Sequence, residues 1–196
     1  MPDELHHEQV LKAKSELRRR IRGQFVPKVF DAGLWLKHFK ALDGDYACLV
    51  GYMPMADEPD CRGILEYWLH KGRTVYLPVF EKEKGVYGLA RVGGLGGEWL
   101  CAGKYGIAEP LPSLPRMEAP FRFEGGGIWL VPGLGFARNG GRLGRGAGYY
   151  DRLLAGSNAL KIGLAYEERV FERLPAEEHD VRMDYLLTET GLAKVT

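Results

Sequence analysis

Residues 131–151 read VPGLGFARNGGRLGRGAGYYD, and this stretch is the most informative part of the chain. Seven of the sixteen residues at positions 133–148 are glycine, which is more than an ordinary turn requires. A short β-rich run at residues 128–131 enters the stretch, and a helical pattern at residues 149–154 follows it. This order of strand, glycine-rich loop and helix lets backbone N–H groups approach a phosphate closely. The stretch therefore predicts a phosphate-binding loop.

The side chains of this stretch favour the same interpretation. Arg142 and Arg145 would supply planar, permanently charged groups to phosphate oxygens. Tyr149, Tyr150 and Asp151 add an aromatic pair and a carboxylate, which suit ring stacking and Mg²⁺ coordination. The loop is not a Walker A loop, since no G-K-[ST] occurs in the chain, and it lacks the dinucleotide spacing G-x-G-x-x-G. From composition alone, a flexible surface loop with solvated arginines is the alternative.

Outside this stretch, helical and strand-like patterns alternate along the chain. Helical periodicity marks residues 8–22, 28–42, 60–71 and 149–154, with Gly33 weakening the second helix and Gly72 a candidate C-cap of the third. Apolar, turn-bounded runs predict strands at residues 46–53, 74–80, 128–131, 161–165 and 185–188. Four prolines predict a loop at residues 110–120.

The alternation predicts an α/β fold with a mostly parallel sheet flanked by helices. We expect residues 1–196 to form a single domain, because 196 residues bury enough surface to need no metal or disulfide staple. In such sheets, ligand sites lie beyond the carboxyl ends of the strands. The glycine-rich stretch follows a predicted strand and therefore belongs to that end of the sheet.

Composition and charge exclude several classes of protein. With 45% hydrophobic and 27% charged residues, the chain is typical of a globular domain. A net charge of +1 does not supply the broad positive field of a nonspecific nucleic-acid-binding protein. The start MPDELHHEQV lacks the pattern of a secretory signal, and no apolar stretch approaches the ~20 residues that cross a bilayer. Three scattered cysteines without a C-x-x-C pair predict a cytoplasmic protein with neither disulfide nor zinc site.

The first predicted helix carries two charges inside its apolar arc. At ~100° per residue, Lys14 and Arg18 lie among Val10, Leu17 and Ile21, and charges in such a position need partners. The alternative is that their aliphatic stems pass the core and bring the charged ends to water. The basic cluster at residues 18–22 also leaves an RNA-binding function open, although no recognised nucleic-acid module accompanies it.

The pattern V-P-G-L-G-F followed by G-x-R-L-G-R-G-x-G-Y-Y-D resembles the signature of the 5-formyltetrahydrofolate cyclo-ligases. Further segments resemble the same family in the same order: AKSELR at 13–18, GYMPMADEPD at 51–60, GKYGIAEP at 103–110 and LPAEEHDVRMDYLLTE at 174–189. The resemblance implies a Rossmann-like fold of the sugar-phosphate isomerase and CoA-transferase type. It also implies ATP- and Mg²⁺-dependent closure of 5-formyltetrahydrofolate to 5,10-methenyltetrahydrofolate through a phosphorylated formyl intermediate. We expect a monomer acting on small molecules, without nucleic-acid or membrane partners.

The resemblance also assigns site residues by position. ATP is assigned to Lys14, Arg18, Arg142, Leu143, Gly144, Arg145, Gly146, Ala147, Gly148, Tyr149 and Tyr150. The reduced folate is assigned to Met53, Glu58, Arg145, Gly146, Gly148 and Tyr149. Mg²⁺ is assigned to Asp151 and Asp180, and catalysis to Arg145. Judged by its spacing alone, Glu58 is instead a solvated loop residue.

One position departs from the family pattern. Many relatives carry Asp after the G-F of the glycine loop, where this chain has Ala137. A noncatalytic nucleotide- or folate-binding relative is therefore an alternative, since a fold can persist after its chemistry is lost. A sugar-phosphate isomerase or CoA-transferase-like protein is another. ATP consumption would discriminate, because an isomerase needs none.

Overall fold

The structure is a computed structural model that describes residues 2–24, 32–42, 44–81, 85–103, 106–178 and 180–196. The α-helices within these residues are α1 (Pro2–Gly23), α2 (Ala32–Phe39), α3 (Arg62–His70) and α4 (Tyr149–Leu154). None of these helices combines the length and the hydropathy that would let it cross a membrane.

The first seven strands are β1 (Cys48–Val50), β2 (Thr74–Glu81), β3 (Val86–Val92), β4 (Leu100–Ala102), β5 (Ala108–Pro110), β6 (Arg116–Met117) and β7 (Gly127–Pro132). The others are β8 (Gly135–Ala137), β9 (Arg142–Leu143), β10 (Leu160–Leu164), β11 (Val170–Phe171), β12 (Tyr185–Thr188) and β13 (Gly191–Lys194). Eight of them form the main sheet, in the order β13-β12-β10-β7-β1-β2-β3-β6. The other strands of the described residues form a three-stranded sheet, β11-β8-β9, and a two-stranded sheet, β4-β5.

The five central strands of the main sheet run parallel to one another, in the order β12, β10, β7, β1 and β2. Antiparallel strands flank them, β13 on one side and β3 with β6 on the other. From β1 the chain places β2 on one side and later returns to place β7 on the other. The crevice at the carboxyl ends of β1 and β7 is therefore a topological switch point, where α/β sheets bind their ligands.

Successive residues of the central strands point into two different apolar layers. Leu49 packs in the layer that contains Trp35 of α2 and Trp68 of α3, whereas Val50 packs in the layer that contains Leu153 and Leu154 of α4. All six side chains are at most 1% exposed. A sheet covered on both faces requires apolar residues at consecutive positions, which is why β1 and β7 read as continuous apolar runs.

The helix boundaries differ from the predictions mainly at their ends. α1 extends the helix predicted at 8–22 by one residue at its C-terminal end and by six at its N-terminal end. Of the helix predicted at 28–42, residues 28–31 lie outside the described residues, and a 3-10 turn at Lys40–Leu42 follows α2. α3 ends with Lys71 as its C-cap, and Gly72 follows with a φ of +69°. Gly72 therefore ends this helix in the left-handed conformation that glycine favours.

The strand predicted at 46–53 was too long, because only Cys48–Val50 form β1. The apolar pattern continues beyond it since the following side chains fold back onto the core. Tyr52 is buried, and its hydroxyl donates a hydrogen bond of 2.8 Å to the carbonyl oxygen of Pro59. This contact closes the loop that carries Glu58.

The loop predicted at 110–120 was partly wrong, because it contains the two-residue strand β6. Arg116 and Met117 pair with Ala90 and Leu89 of β3, and this pairing leaves no local pattern in the sequence. Pro110 is the last residue of β5, and the other three prolines lie outside β5 and β6. None of the four therefore removes a hydrogen bond from the pairing of β6 with β3.

Candidate active site

The loops that follow β1 and β7 meet at the switch point, and Arg145 joins them. Its Nε lies 3.2 Å and its Nη2 3.1 Å from Oε1 of Glu58, and Nη2 also donates to the carboxylate of Asp57. The residue predicted for catalysis therefore contacts the residue predicted for folate binding directly. The prediction that Glu58 could be a solvated loop residue is wrong, because Glu58 is only 9% exposed.

The two carboxylates fix the charge state of Arg145. Partial burial alone would lower the pKa of Arg145, but the hydrogen bond that Arg145 donates to Asp57 and the charge of Glu58 outweigh burial and raise it. A guanidinium that is held between two acceptors has a defined direction as well as a permanent charge. Arg145 therefore points at the crevice between the two loops.

The loop that carries Glu58 is fixed through its backbone. The backbone N–H of Met55 donates to Oε2 of Glu58 at 3.0 Å, and the Tyr166 hydroxyl donates to the Glu58 carbonyl oxygen at 3.3 Å. The loop that carries Glu58 follows β1, Tyr166 follows β10, and the stretch that carries Arg145 follows β7. Segments that follow three parallel strands therefore contribute to the position of this carboxylate. Met53, which was also predicted to bind folate, is partly buried against the core beneath the same loop.

The glycine-rich stretch divides into a hairpin and a shorter loop. Strands β8 and β9 pair with each other, and a turn at Gly140 connects them. The loop predicted to bind phosphate is therefore limited to residues 144–148, where Gly146 has a φ of +106° and Gly148 a φ of +61°. These left-handed conformations explain two of the glycines by backbone geometry. The short helix α4 starts directly after Gly148.

Helix α1 packs against this loop through apolar and polar contacts. Ile21 is buried in a cluster with Leu134 and Leu143, which fixes the helix next to residues 144–148. Arg18 Nε donates to the carbonyl oxygen of Gly144 at 2.9 Å, and Arg22 Nη2 donates to that of Arg145 at 3.3 Å. Burial first, and the charge of Arg22 second, lower the pKa of Arg18. The described acceptors of both guanidinium groups are neutral carbonyl groups, which do not neutralise the two positive charges.

Lys14 has carboxylate partners instead. Its Nζ lies 2.7 Å from Oδ2 of Asp180 and 2.9 Å from Oε2 of Glu177, and the residue is 5% exposed. The backbone N–H of Glu177 donates to the same Asp180 oxygen at 2.7 Å. The alternative that Lys14 carries its charge past the core to water is therefore wrong.

The other predicted metal ligand, Asp151, is paired with an arginine. Arg142 Nη2 lies 2.8 Å from Asp151 Oδ1, and the guanidinium lies over the Tyr150 ring at 5.6 Å from its centroid. The Nε of Arg142 is buried and has no hydrogen-bond partner among the described residues. Among the residues that the structure describes, no group of three or more His, Cys, Asp or Glu side chains could hold a metal ion.

The two tyrosines of α4 pack against protein rings. Tyr149 contacts Tyr87 of β3 edge-on at 3.8 Å between ring centroids and contacts Tyr150 at 5.0 Å. Burial raises the pKa of both tyrosines well above the ordinary value. Both hydroxyls are therefore neutral and cannot act as bases near neutral pH. Their contacts with nucleotide or folate stay predictions.

The family model of the 5-formyltetrahydrofolate cyclo-ligase family matches residues 41–189. The chain belongs to this family. A 5-formyltetrahydrofolate cyclo-ligase from Mycolicibacterium smegmatis is 34% identical over 193 residues, which cover 90% of this chain and 94% of that protein. Membership of the cyclo-ligase family places the chain among the ligases of folate metabolism.

Solved structures support the cyclo-ligase assignment. The NMR structure of 5,10-methenyltetrahydrofolate synthetase from Aquifex aeolicus matches with a TM-score of 0.69 and 30% identity, covering 100% of this chain and 93% of that one. The 5,10-methenyltetrahydrofolate synthetase from Mycoplasma pneumoniae matches with a TM-score of 0.61 and 19% identity, covering 89% of this chain and 97% of that one. The second likeness shows the fold alone. Together they confirm the predicted α/β class.

The departure from the cyclo-ligase pattern, Ala137, lies at the end of β8. It is fully buried, its N–H donates to the Gly141 carbonyl oxygen at 2.8 Å, and it pairs with Phe171 of β11. None of the contacts of Arg145, Lys14 or Arg142 described above involves this side chain. The contacts that bring these charged side chains together therefore do not depend on the side chain at position 137.

Four residues of the site were not predicted from the sequence, and one of them is Arg22, which donates to the Arg145 carbonyl oxygen as described above. Asp57 contacts Arg145, Glu177 contacts Lys14, and Arg169 Nη1 donates to the Asp57 carbonyl oxygen at 3.2 Å. The only signal for Asp57 and Glu177 was their closeness to predicted residues. The sequence carried no signal for Arg169. It lies in a 3-10 turn at Glu167–Arg169, just before β11, where a charged side chain usually lies in water.

Proposed function

We propose that the protein catalyses the ATP- and Mg²⁺-dependent cyclisation of 5-formyltetrahydrofolate to 5,10-methenyltetrahydrofolate, giving ADP and phosphate. The observation that carries the proposal is the contact of Arg145 with Glu58, which joins the phosphate loop to the folate loop at the switch point. Membership of the cyclo-ligase family supports the reaction, and the charges around the loop support the nucleotide. The cytoplasmic location, the monomeric state and the single-domain organisation belong to the same proposal.

The chemistry requires activation of an amide. The formyl group of the substrate is an amide, and its oxygen is a poor leaving group as hydroxide. In the proposed reaction, the formyl oxygen attacks the γ-phosphorus of ATP, and the bond from this phosphorus to the bridging oxygen of ADP breaks. N10 of the same folate then attacks the formyl carbon and loses its proton. The C–O bond breaks last, and the oxygen leaves within inorganic phosphate.

Positive side chains around residues 144–148 would bind the phosphates. Phosphoryl transfer needs mainly positioning and neutralisation of charge, and no nucleophilic side chain. Among the described residues, Arg18 and Arg22 donate to neutral carbonyl groups, and the buried Nε of Arg142 has no partner. Lys14 adds a fourth charge beside Asp180. Together these groups offer more positive charge than their present acceptors neutralise.

Asp151 and Asp180 would hold Mg²⁺. Burial lowers the pKa of Arg18 most, and the charges of Asp180 and Asp151 both act to raise it, so both carboxylates are within electrostatic reach of this guanidinium. The Asp151 side chain is 31% exposed, which lets water and a hydrated ion reach it. Mg²⁺ commonly takes one or two carboxylates and completes its octahedron with water and phosphate oxygens, so this pair fits. When bound, the ion would neutralise charge on the phosphates.

Glu58 would accept hydrogen bonds from the folate, with Met53 and Tyr149 lining the same pocket. Because N10 and the formyl group belong to one molecule, orientation substitutes for concentration, and effective molarities of ~10⁵ M or more are known for aligned groups. The neutral tyrosines do not take part as bases. The protein therefore acts by holding one folate conformation against one phosphate.

The experiment that tests the proposal is an absorbance assay for methenyltetrahydrofolate with purified protein, 5-formyltetrahydrofolate and Mg·ATP. We expect product to accumulate with one ADP per ring closed, and mixtures without nucleotide or without Mg²⁺ serve as controls. Absence of product with both substrates present would favour the noncatalytic alternative, which Ala137 motivates. Product without ATP consumption would contradict the proposed mechanism.

A further inference from the structure

We propose that Asp57 is a positioning residue, whose carboxylate holds the Arg145 guanidinium between the nucleotide and the folate during the reaction. This inference rests on the proposed function, because it assigns a role within the same reaction. It is carried by the contacts among Asp57, Glu58, Arg145 and Arg169 at the switch point.

Arg145 donates to two carboxylates, those of Glu58 and Asp57, and Glu58 is also proposed to bind the folate. Oε1 of Glu58 accepts from both Nε and Nη2 of Arg145, whereas Asp57 accepts from Nη2 alone. If Glu58 accepts hydrogen bonds from folate, its carboxylate is shared between substrate and arginine. Asp57 then remains as an acceptor that the substrate does not require. It keeps Arg145 in place when Glu58 turns to the folate.

Asp57 is suited to this task because its own backbone is fixed. Arg169, which is 6% exposed, donates from Nη1 to the Asp57 carbonyl oxygen, and residues 55 and 58 close a turn around it. The Asp57 side chain is 21% exposed and that of Glu58 is 7% exposed. The anchored backbone thus directs a partly exposed carboxylate at the guanidinium.

Fixing Arg145 should affect the chemical step more than binding. A donor contributes most when it is preorganised toward developing charge, and a misplacement of about 1 Å can cost roughly 10²-fold in rate. Without Asp57, the guanidinium retains its charge but gains other orientations around Glu58. We therefore expect Asp57→Asn to lower kcat by roughly 10-fold, with KM for the folate changing by less than about 2-fold.

The test compares Asp57→Asn and Asp57→Glu with the wild type in the absorbance assay, at varied ATP and varied folate. Asp57→Glu keeps the charge and should recover part of kcat. Glu172→Gln is the control, because it removes one charge from a side chain that is 85% exposed. Thermal melting of each variant checks folding. A fully retained kcat in folded Asp57→Asn would overturn the proposal.

A double-mutant cycle separates positioning from a general structural effect. In the Arg145→Ala background, Asp57→Asn should change kcat by less than about 2-fold, since residues that act together are not additive. An equal loss in both backgrounds would show that Asp57 acts independently of Arg145 and would overturn the inference. A wild-type protein without turnover would instead overturn the proposed function itself, and the positioning role with it.

Discussion

Replacing Arg145 with alanine is expected to lower kcat by ~10²-fold or more, the scale found for other preorganised donors. The guanidinium lies between the loop predicted for ATP and the carboxylate predicted for folate, 3.1 Å from Glu58. It can therefore stabilise charge as the γ-phosphoryl group moves. The measurement is kcat at saturating ATP and folate, with folding checked by thermal melting.

Two further variants make the Arg145 result interpretable. Arg145→Lys keeps a point charge but loses the planar fork, so its kcat should fall between wild type and alanine. Arg138→Ala is the matched control, because Arg138 lies in the same glycine-rich stretch of sequence and its side chain is 57% exposed. Turnover like that of the wild type in folded Arg145→Ala would remove Arg145 from the mechanism.

Replacing Lys14 with methionine is expected to lower the free energy of unfolding by about 3 kcal/mol, since removing one partner leaves buried charges without compensation. Lys14 Nζ lies within 2.9 Å of carboxylate oxygens of both Asp180 and Glu177, whose side chains are 16% and 11% exposed. Methionine retains the volume of the stem and removes only the charge. Urea denaturation of the two proteins measures the difference.

The control for Lys14 lies on the same helix. Lys12→Met removes an exposed lysine of α1 and should change the free energy of unfolding by less than about 0.5 kcal/mol. If Lys14→Met and Lys12→Met were equally stable, the ion pairs of Lys14 would contribute nothing measurable. If Lys14 binds an ATP phosphate as proposed, KM for ATP should also rise in Lys14→Met.

The parts of the fold that could be predicted from the sequence are those with a local pattern. Strand β12 (Tyr185–Thr188) and helix α4 have the predicted bounds, because residues typical of turns flank both segments. Strand β6 depends on pairing with β3, and β13 on pairing with β12. Such pairing partners are set by tertiary structure, so neither strand was predicted.

In the candidate site too, the residues within a local motif could be predicted, whereas contacts between distant residues could not. Arg142, Arg145 and Asp151 fall within one motif, and motif residues can be found by resemblance to a family. The contact of Arg145 with Asp57 joins residues 88 positions apart, and that of Arg169 with Asp57 spans 112 positions. No local pattern encodes such contacts, because they depend on strand order in the sheet. The structure was needed to find Asp57.

The measurement that tests the central claim most directly follows the formyl oxygen through the reaction. The protein is incubated with Mg·ATP and 5-formyltetrahydrofolate that carries oxygen-18 in the formyl group, and the phosphate formed is analysed by mass spectrometry. If the formyl oxygen is phosphorylated before N10 closes the ring, each phosphate released should carry one labelled oxygen. Unlabelled phosphate, with the label recovered in water, would contradict the phosphorylated intermediate.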